Sequence, residues 1–391
     1  MKGDGSARVR ARLARRQPPA EDSPPPGRSM PAGRSCTWFA GVFLLSLCIV
    51  YFVKLSLPSK KCNMKNVDPV RVKRTQIYAK EVLERTCQPS FAKKEMYRLF
   101  REKYSMNLAS FISDGPHLNE SSFKYGPPFG FHKYIEVVRS LLKLMPDKDL
   151  TEPLKSKTCK RCIVVGNGGI LHGLQMGHAV DQYDIVIRLN NAPVHGFAKD
   201  VGNKTTIRMT YPEGAPVSTQ EYHHNGLFVA VFFKSVDFRW LQAMLKNESL
   251  SMWNRMFFWK QVAENIPVQA KQFRILNPLI IKETAIDILQ YPEPRDIWWG
   301  WDKNVPTLGC TAVVMATHLC DEVSLAGFGY DLSQLGSPLH YYDDRCMAEM
   351  KESHTHDVTQ ETKLLQTLVK EGVVKDITGG IHCQFCNDAR R

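Results

Sequence analysis

Short apolar runs alternate with amphipathic stretches along most of the chain. Cys-Ile-Val-Val (162–165), Ile-Val-Ile-Arg-Leu (185–189), Thr-Ile-Arg-Met-Thr (206–210), Leu-Phe-Val-Ala-Val-Phe-Phe (227–233) and Val-Ser-Leu-Ala-Gly-Phe (323–328) have the length and the β-branched and aromatic content of strands. Residues 238–246, 252–263 and 311–319 have helical spacing. Alternation of this kind predicts an α/β layer with a mostly parallel sheet, which binds ligands beyond the carboxyl ends of its strands. Later, Asp357-Val-Thr-Gln360 fits a capping box, and from Glu361 an apolar stripe of period 3.6 runs to a stop at Gly372, so a helix starts at Asp357.

One apolar run is of another kind. Residues 37–53 carry no charge, and Leu55 and Leu57 extend them, which is the short end of a membrane span. Some 36 residues precede the run and no small-x-small site follows it, so an uncleaved anchor fits better than a signal peptide. The expected layout is a disordered tail over 1–37, rich in Arg, Pro, Gly and Ser, an anchor over 38–57, a stem over 58–86 with helical spacing around Ile77, Val82 and Leu83, and a large domain over 87–391. The net charge of +13 raises the question of nucleic acid, but its distribution answers against it: residues 1–37 carry +5, 54–104 carry +9 and 105–391 carry −1. Sequons at Asn119, Asn203 and Asn247 all lie downstream of the anchor, as in a chain whose large domain enters the secretory lumen.

The strongest local signal is Val164-Val-Gly166-Asn167-Gly168-Gly169, a strand entering a glycine turn that allows backbone N–H groups to approach a nucleotide. It departs from the dinucleotide pattern. Leu171 stands where the third glycine belongs, and Arg188-Leu-Asn190 replaces the expected strand-end acid, which counts against NAD. Cys159-x-x-Cys162 is compatible with half a zinc site or a redox pair, while disulfides are the simpler reading in a lumenal chain. His356 precedes the helix cap, where the positive helix end disfavours an imidazolium; spacing alone leaves both a base and an ordinary surface histidine open. Asp147-Lys-Asp149 is the one Asp-x-Asp spacing that suits a nucleotide-sugar metal, and it falls in a polar stretch before the first core strand, so no metal ligand is assigned.

Taken in order, these pieces resemble the four short motifs of the animal sialyltransferase family. The long motif resembles Cys162-Ile-Val-Val-Gly-Asn167 through Arg188-Leu-Asn190 to Val201-Gly-Asn-Lys-Thr205, and the short motif Pro306-Thr-Leu-Gly309 through Cys320 to Gly327-Phe-Gly329. The third motif matches His340-Tyr-Tyr-Asp343, and the very short one, His then four residues then Glu, matches His356 and Glu361. The resemblance implies a single Rossmann-like, glycosyltransferase-A-type variant domain in a type II Golgi membrane protein. It also implies CMP-sialic acid as donor, no cofactor and no metal. Residue by residue, it places Asn167, Asn190, Thr307, Gly309 and Gly329 around the donor, makes His356 the base that takes the acceptor proton, and gives His340 the departing phosphate. It pairs Cys162 with Cys320, and Cys87 then becomes the upstream candidate for Cys159. Leu308 stands where many members have Thr, which removes a side-chain hydrogen bond there.

For the acceptor, the segments 227–244, 257–264 and 274–278 resemble the branch of the family that sialylates the galactose of lactosylceramide, with galactose-ended glycoprotein glycans as the competing acceptor. Trp298-Trp299-Gly-Trp301, bounded by proline, glycine and aspartate, reads as a loop that lies against a bilayer, whereas Phe257-Phe-Trp259 reads as the buried face of a helix.

Overall fold

The computed structural model describes residues 46, 61–64, 66–115, 118, 123–294, 305–330, 332–351 and 356–386. The expected tail, nearly all of the expected anchor, Asn119 and the Trp298 loop lie outside these residues. Among the described residues no helix is long and apolar enough to cross a membrane.

Among the described residues seven strands form one parallel sheet: β1 (Arg161–Val165), β2 (Ile185–Leu189), β3 (Ile207–Thr210), β4 (Leu227–Ala230), β5 (Phe273–Ile275), β6 (Glu322–Ala326) and β7 (Val374–Asp376). Their order is β5-β4-β3-β2-β1-β6-β7. The chain thus begins in the middle, walks outward to β5 and returns to β6 on the other side of β1. The carboxyl ends of β1 and β6 flank the switch point, where a crevice must open because the connections leave in opposite directions. The central strands read as unbroken apolar runs because both sheet faces are covered. On one face Val164, Ile187 and Leu325 meet the helix Leu308–Leu319; on the other Ile163, Val165, Val186 and Ala326 meet the helix Pro69–Glu84.

Six longer helices among the described residues accompany the sheet: α1 (Pro69–Glu84), α2 (Phe91–Phe100), α3 (Ile135–Leu144), α4 (Ser235–Lys246), α5 (Leu308–Leu319) and α6 (Val358–Lys370). α5 is apolar nearly all round, and residues 310–318 are all buried, as expected of a helix enclosed by its own domain. Arg188 is the exception among the β2 residues. It is wholly buried, its guanidinium donates to the carbonyls of Val201, Gly202 and Lys204, and burial lowers its pKa to about 10. The residue that broke the dinucleotide pattern is therefore a clamp on the 201–205 turn.

Residues 60–391 form one compact unit, which takes in α1. Two expectations are corrected. Asp68 caps α1, which buries Tyr78, Ala79 and Val82 on the sheet while Ile77 faces solvent, so the helical spacing is real and its buried face is displaced from the one read. Residues 252–263 are not one helix. Only Met252–Arg255 is helical, capped by Ser251, and the chain then turns through 256–259. Phe257 is accordingly not buried; it is 67% exposed and Trp259 is 70% exposed, with only Phe258 reaching the core. The edge strands β5 and β7, three residues each, are too short to show a period.

Among the described residues four disulfides join Cys62 to Cys346, Cys87 to Cys159, Cys162 to Cys320 and Cys383 to Cys386, and Cys310 is a buried free thiol. Cys159 and Cys162 thus serve separate bridges and not a shared metal. Cys162 on β1 and Cys320 just before β6 lie with Cα atoms 6.0 Å apart. Closing their 158-residue separation contributes about 5 kcal/mol by the chain-entropy argument. Cys320→Ser is therefore expected to abolish the yield of folded, secreted domain. Non-reducing peptide mapping of the wild type should recover the Cys162–Cys320 crosslink, and free thiols at both positions would refute it.

Candidate active site

A cavity of about 340 Å³ opens at the switch point, under the N-termini of α5 and α6. Asn167, Asn190, Thr307, Gly309, Gly329, His340 and His356 all line it, although they come from six separate stretches of chain. Each arrives there for a local reason.

The turn after β1 is tied to the turn after β6: Gly166 N–H donates to the Ala326 carbonyl at 2.8 Å and Gly168 N–H to the Gly327 carbonyl at 2.9 Å. Gly327 has φ +73°, and a Cβ there would fall 2.4 Å from Leu171 Cδ1, so no other residue fits. Asn167 then faces the cavity with its Oδ1 buried and without a protein partner, a free acceptor in a site that must take a ligand's donor. Its backbone carbonyl accepts from Tyr341 N–H at 3.1 Å, which sets His340 beside it. The His340 ring stacks on Tyr342 at 5.0 Å, and its Nδ1 is 2.9 Å from Asp343 Oδ2. A carboxylate only accepts, so Nδ1 carries the hydrogen and Nε2 is the atom left for a ligand.

Asn190 ends β2 in the left-handed region, φ 51°, with its carbonyl accepting from Arg208 at 2.8 Å. Thr210 Oγ1 donates to its Oδ1 at 3.2 Å, so the amide N–H groups are what Asn190 offers the cavity. Gly329, φ +105°, is glycine for a backbone reason as well: a Cβ would meet the Gly380 carbonyl at 2.1 Å.

The two helix N-termini are locked together. Thr307 caps α5, its hydroxyl accepting from Cys310 N–H at 3.1 Å. The same hydroxyl donates to Glu361, whose other oxygen accepts from Thr307 N–H at 2.9 Å. Thr307 thus lines the cavity with its side chain already committed, and Leu308 beside it offers apolar surface. Burial pushes the Glu361 carboxyl from 4.5 up to about 7, against the pull of the two Thr307 bonds. At the start of the same segment His356 Nδ1 lies 2.8 Å from the Val305 carbonyl. That carbonyl fixes the hydrogen on Nδ1, which leaves the Nε2 lone pair free as a base requires. Burial lowers the His356 pKa below 6.5, and the Val305 bond opposes this only in part. The positive end of α6, whose cap Asp357 accepts from Gln360 N–H at 3.0 Å, acts in the same direction as burial.

Sequence reasoning missed the wall opposite these motifs. Tyr211, Glu213, Lys234 and Trp259 line it, and Tyr330 lines the near side. Burial pushes the phenols of Tyr211 and Tyr330 up to about 12, so both keep their protons at neutral pH. Glu213 is 1% exposed and paired with Lys234 through one oxygen; its other oxygen is buried without a protein partner. The only available signal was Tyr211-Pro-Glu213 following a strand end, a pattern that ordinary turns share. The cavity's two carboxylates are each already engaged, Glu213 by Lys234 and Glu361 by Thr307, and Asp147 and Asp149 do not line it. Asn203 and Asn247 are exposed, as sequons require for modification.

Comparison with known proteins gives a consistent result. The sequence pattern of Glycosyltransferase family 29 (sialyltransferase) matches residues 111–373. The chain is 61% identical over 347 residues to a lactosylceramide alpha-2,3-sialyltransferase of Pan troglodytes, spanning 88% of this chain and 96% of that one. It is 42% identical over 298 residues to a CMP-N-acetylneuraminate-beta-1,4-galactoside alpha-2,3-sialyltransferase of Homo sapiens, spanning 76% and 78%. A crystal structure of a mammalian sialyltransferase in complex with Gal-beta-1-3GalNAc-ortho-nitrophenol superposes with a TM-score of 0.58 at 26% identity, covering 74% of this chain and 98% of that one. Because the matched span holds six of the seven strands, all of the cavity lining but Ile381 and every motif residue from Asn167 to His356, the chain belongs to glycosyltransferase family 29, the sialyltransferases.

Proposed function

We propose that the chain transfers sialic acid from CMP-sialic acid to the 3-hydroxyl of the terminal galactose of lactosylceramide, by inverting displacement and without a metal, as a single-pass type II protein of the Golgi membrane. The observation that carries the reading is the convergence of Asn167, Asn190, His340 and His356 on one cavity beneath two helix N-termini. That field favours a donor bearing a phosphate and a carboxylate. The 61% identity to a lactosylceramide enzyme, against 42% to a galactoside enzyme, supports the glycolipid acceptor.

In this reading Asn167, Asn190, Gly309 and Gly329 surround the nucleotide, and Thr307 shapes its pocket through the cap. The acceptor hydroxyl gives its proton to His356 Nε2 as its oxygen bonds to the anomeric carbon. The bond from that carbon to the CMP phosphate breaks with its electron pair passing to the phosphate oxygen, which His340 stabilises by donating an Nε2–H, both ring nitrogens then carrying hydrogen and Asp343 accepting from Nδ1. The anomeric centre develops oxocarbenium character, as in glycosyl transfer generally. The donor brings its own anionic leaving group, so a base and phosphate donors suffice.

The deciding assay sets lactosylceramide beside a galactose-ended glycoprotein, both with CMP-sialic acid in excess EDTA. Preferred transfer to the glycolipid is expected; preference for the glycoprotein would move the acceptor assignment, and a need for Mn²⁺ would overturn metal independence. His356→Ala should lower kcat by about 10²- to 10⁴-fold while CMP still binds. In the wild type the acidic limb of kcat/KM should lie below pH 6.5, the ordinary histidine value, because a base of lowered pKa stays unprotonated further into acid. Normal turnover of the variant would remove His356 from the base role.

Glu361 gives a stability prediction with a defined sign. Between pH 4.5 and about 7 the folded state holds this proton and the unfolded state has lost it, so stability falls as pH rises through the window. The contribution is about 3 kcal/mol. Glu361→Gln lacks the group, so the difference in unfolding free energy between wild type and variant should drift by that amount across the window in denaturant titrations. Parallel pH dependences in the two proteins would refute the assignment.

A further inference from the structure

The segment after α4 is anomalous by the measure of the rest of the surface. Met252, Trp253, Met256, Phe257 and Trp259 are each between 67% and 77% exposed, five large apolar side chains within eight residues. A cluster of this kind on a surface marks an interaction site. The segment is built and not frayed. Ser251 caps its single helical turn, and Arg255 Nε donates to the Leu250 carbonyl at 3.1 Å. Asn254 Oδ1 accepts from Arg239 at 3.1 Å, and Phe258 is driven into the core beneath Lys234, whose Nζ lies 4.9 Å from the ring centroid. The backbone is therefore pinned in an arrangement that turns its neighbours outward.

We propose that this face docks on the surface of a lipid bilayer, and so brings the membrane to the mouth of the active site. Two observations select a bilayer. First, the flanks are basic: residues 239–260 hold four Lys/Arg against one Glu, and although Arg255 is paired with Glu264, the others can lay their stems on the apolar centre while their charged heads stay at the polar headgroup level. The apolar centre itself pairs tryptophan with methionine and phenylalanine, and tryptophan favours the interface because its ring is apolar and its N–H wet. Second, Trp259 belongs to both surfaces. It is exposed on the patch and it lines the cavity that holds His340 and His356. The inference rests on the proposed glycolipid acceptor: a sugar whose hydrocarbon chains stay in the bilayer reaches His356 only if the bilayer comes to the cavity rim. The patch meets that requirement, with Trp259 as the step between lipid and sugar.

The test uses the full chain and the exposed residues that do not line the cavity. The triple variant Trp253→Ser, Met256→Ser, Phe257→Ser is assayed with free lactose and with lactosylceramide in phosphatidylcholine vesicles. Lactose transfer should be unchanged while vesicle-borne transfer falls by about tenfold through KM. Equal loss on both acceptors, or no loss on either, overturns the proposal. A second measurement is independent of acceptor identity. The full chain is reconstituted in vesicles that lack glycolipid and contain brominated phosphatidylcholine, and its fluorescence quenching is compared with that of Trp253→Phe. Quenching attributable to Trp253 is expected even if the enzyme proves to prefer glycoproteins. An unquenched Trp253, or a variant that loses self-association in light scattering with quenching unaffected, would assign the face to another occupant and overturn the bilayer reading.

Discussion

The docking of residues 356–361 on residues 305–307 is the interaction on which the site depends. Two contacts make it: the His356 ring on the Val305 carbonyl, and the Glu361 carboxylate on the backbone and hydroxyl of Thr307. Neither contact serves only one helix. Thr307 caps α5 and orders the start of α6 with the same hydroxyl, so a change at Glu361 reaches the cavity wall through Thr307 and the base through the register of α6. The cost is a carboxylate buried with a raised pKa, of the kind that buried polar networks at functional sites carry.

The other half of the site hangs on the sheet. Return of the chain to β6 places the Gly166 and Gly327 turns back to back, and the bond from Tyr341 to the Asn167 carbonyl brings the His340 loop onto the same edge. Two halves that differ in origin therefore meet across one crevice, one organised by strand topology and one by helix caps. The buried Arg188 belongs to the first half: by donating to the carbonyls of Val201, Gly202 and Lys204 it ties that turn to β2, two residues before Asn190.

Much of this was legible in the sequence where burial is two-sided and therefore written as an apolar run. The five expected strands are present, and the cap at Asp357 is where the Asp-x-x-Gln spacing put it. The seven motif residues share a cavity, yet composition and period gave no sign of that; their motif order did. What stayed hidden has physical reasons. β5 and β7 are too short for a period to emerge, and the fit of α1 to the sheet is decided by Tyr78 and Ala79 meeting a surface that exists only after folding. The Phe257 segment misled for the opposite reason. Aromatic density normally means burial, and here the one ring that is buried, Phe258, holds the others out.

The bond between Cys62 and Cys346 has a mechanical consequence. It closes a sequence separation of 284 into a covalent ring that contains α1, the first six strands and the His340 loop. A pull on the chain ahead of Cys62 passes through sulfur to Cys346 and bypasses everything between. The load path therefore never runs through the hydrogen bonds of the six strands inside the ring, and a single backbone nick inside it would leave both fragments attached. Tension reaches the chain again only beyond Cys346, in the stretch that leads to His356 and α6.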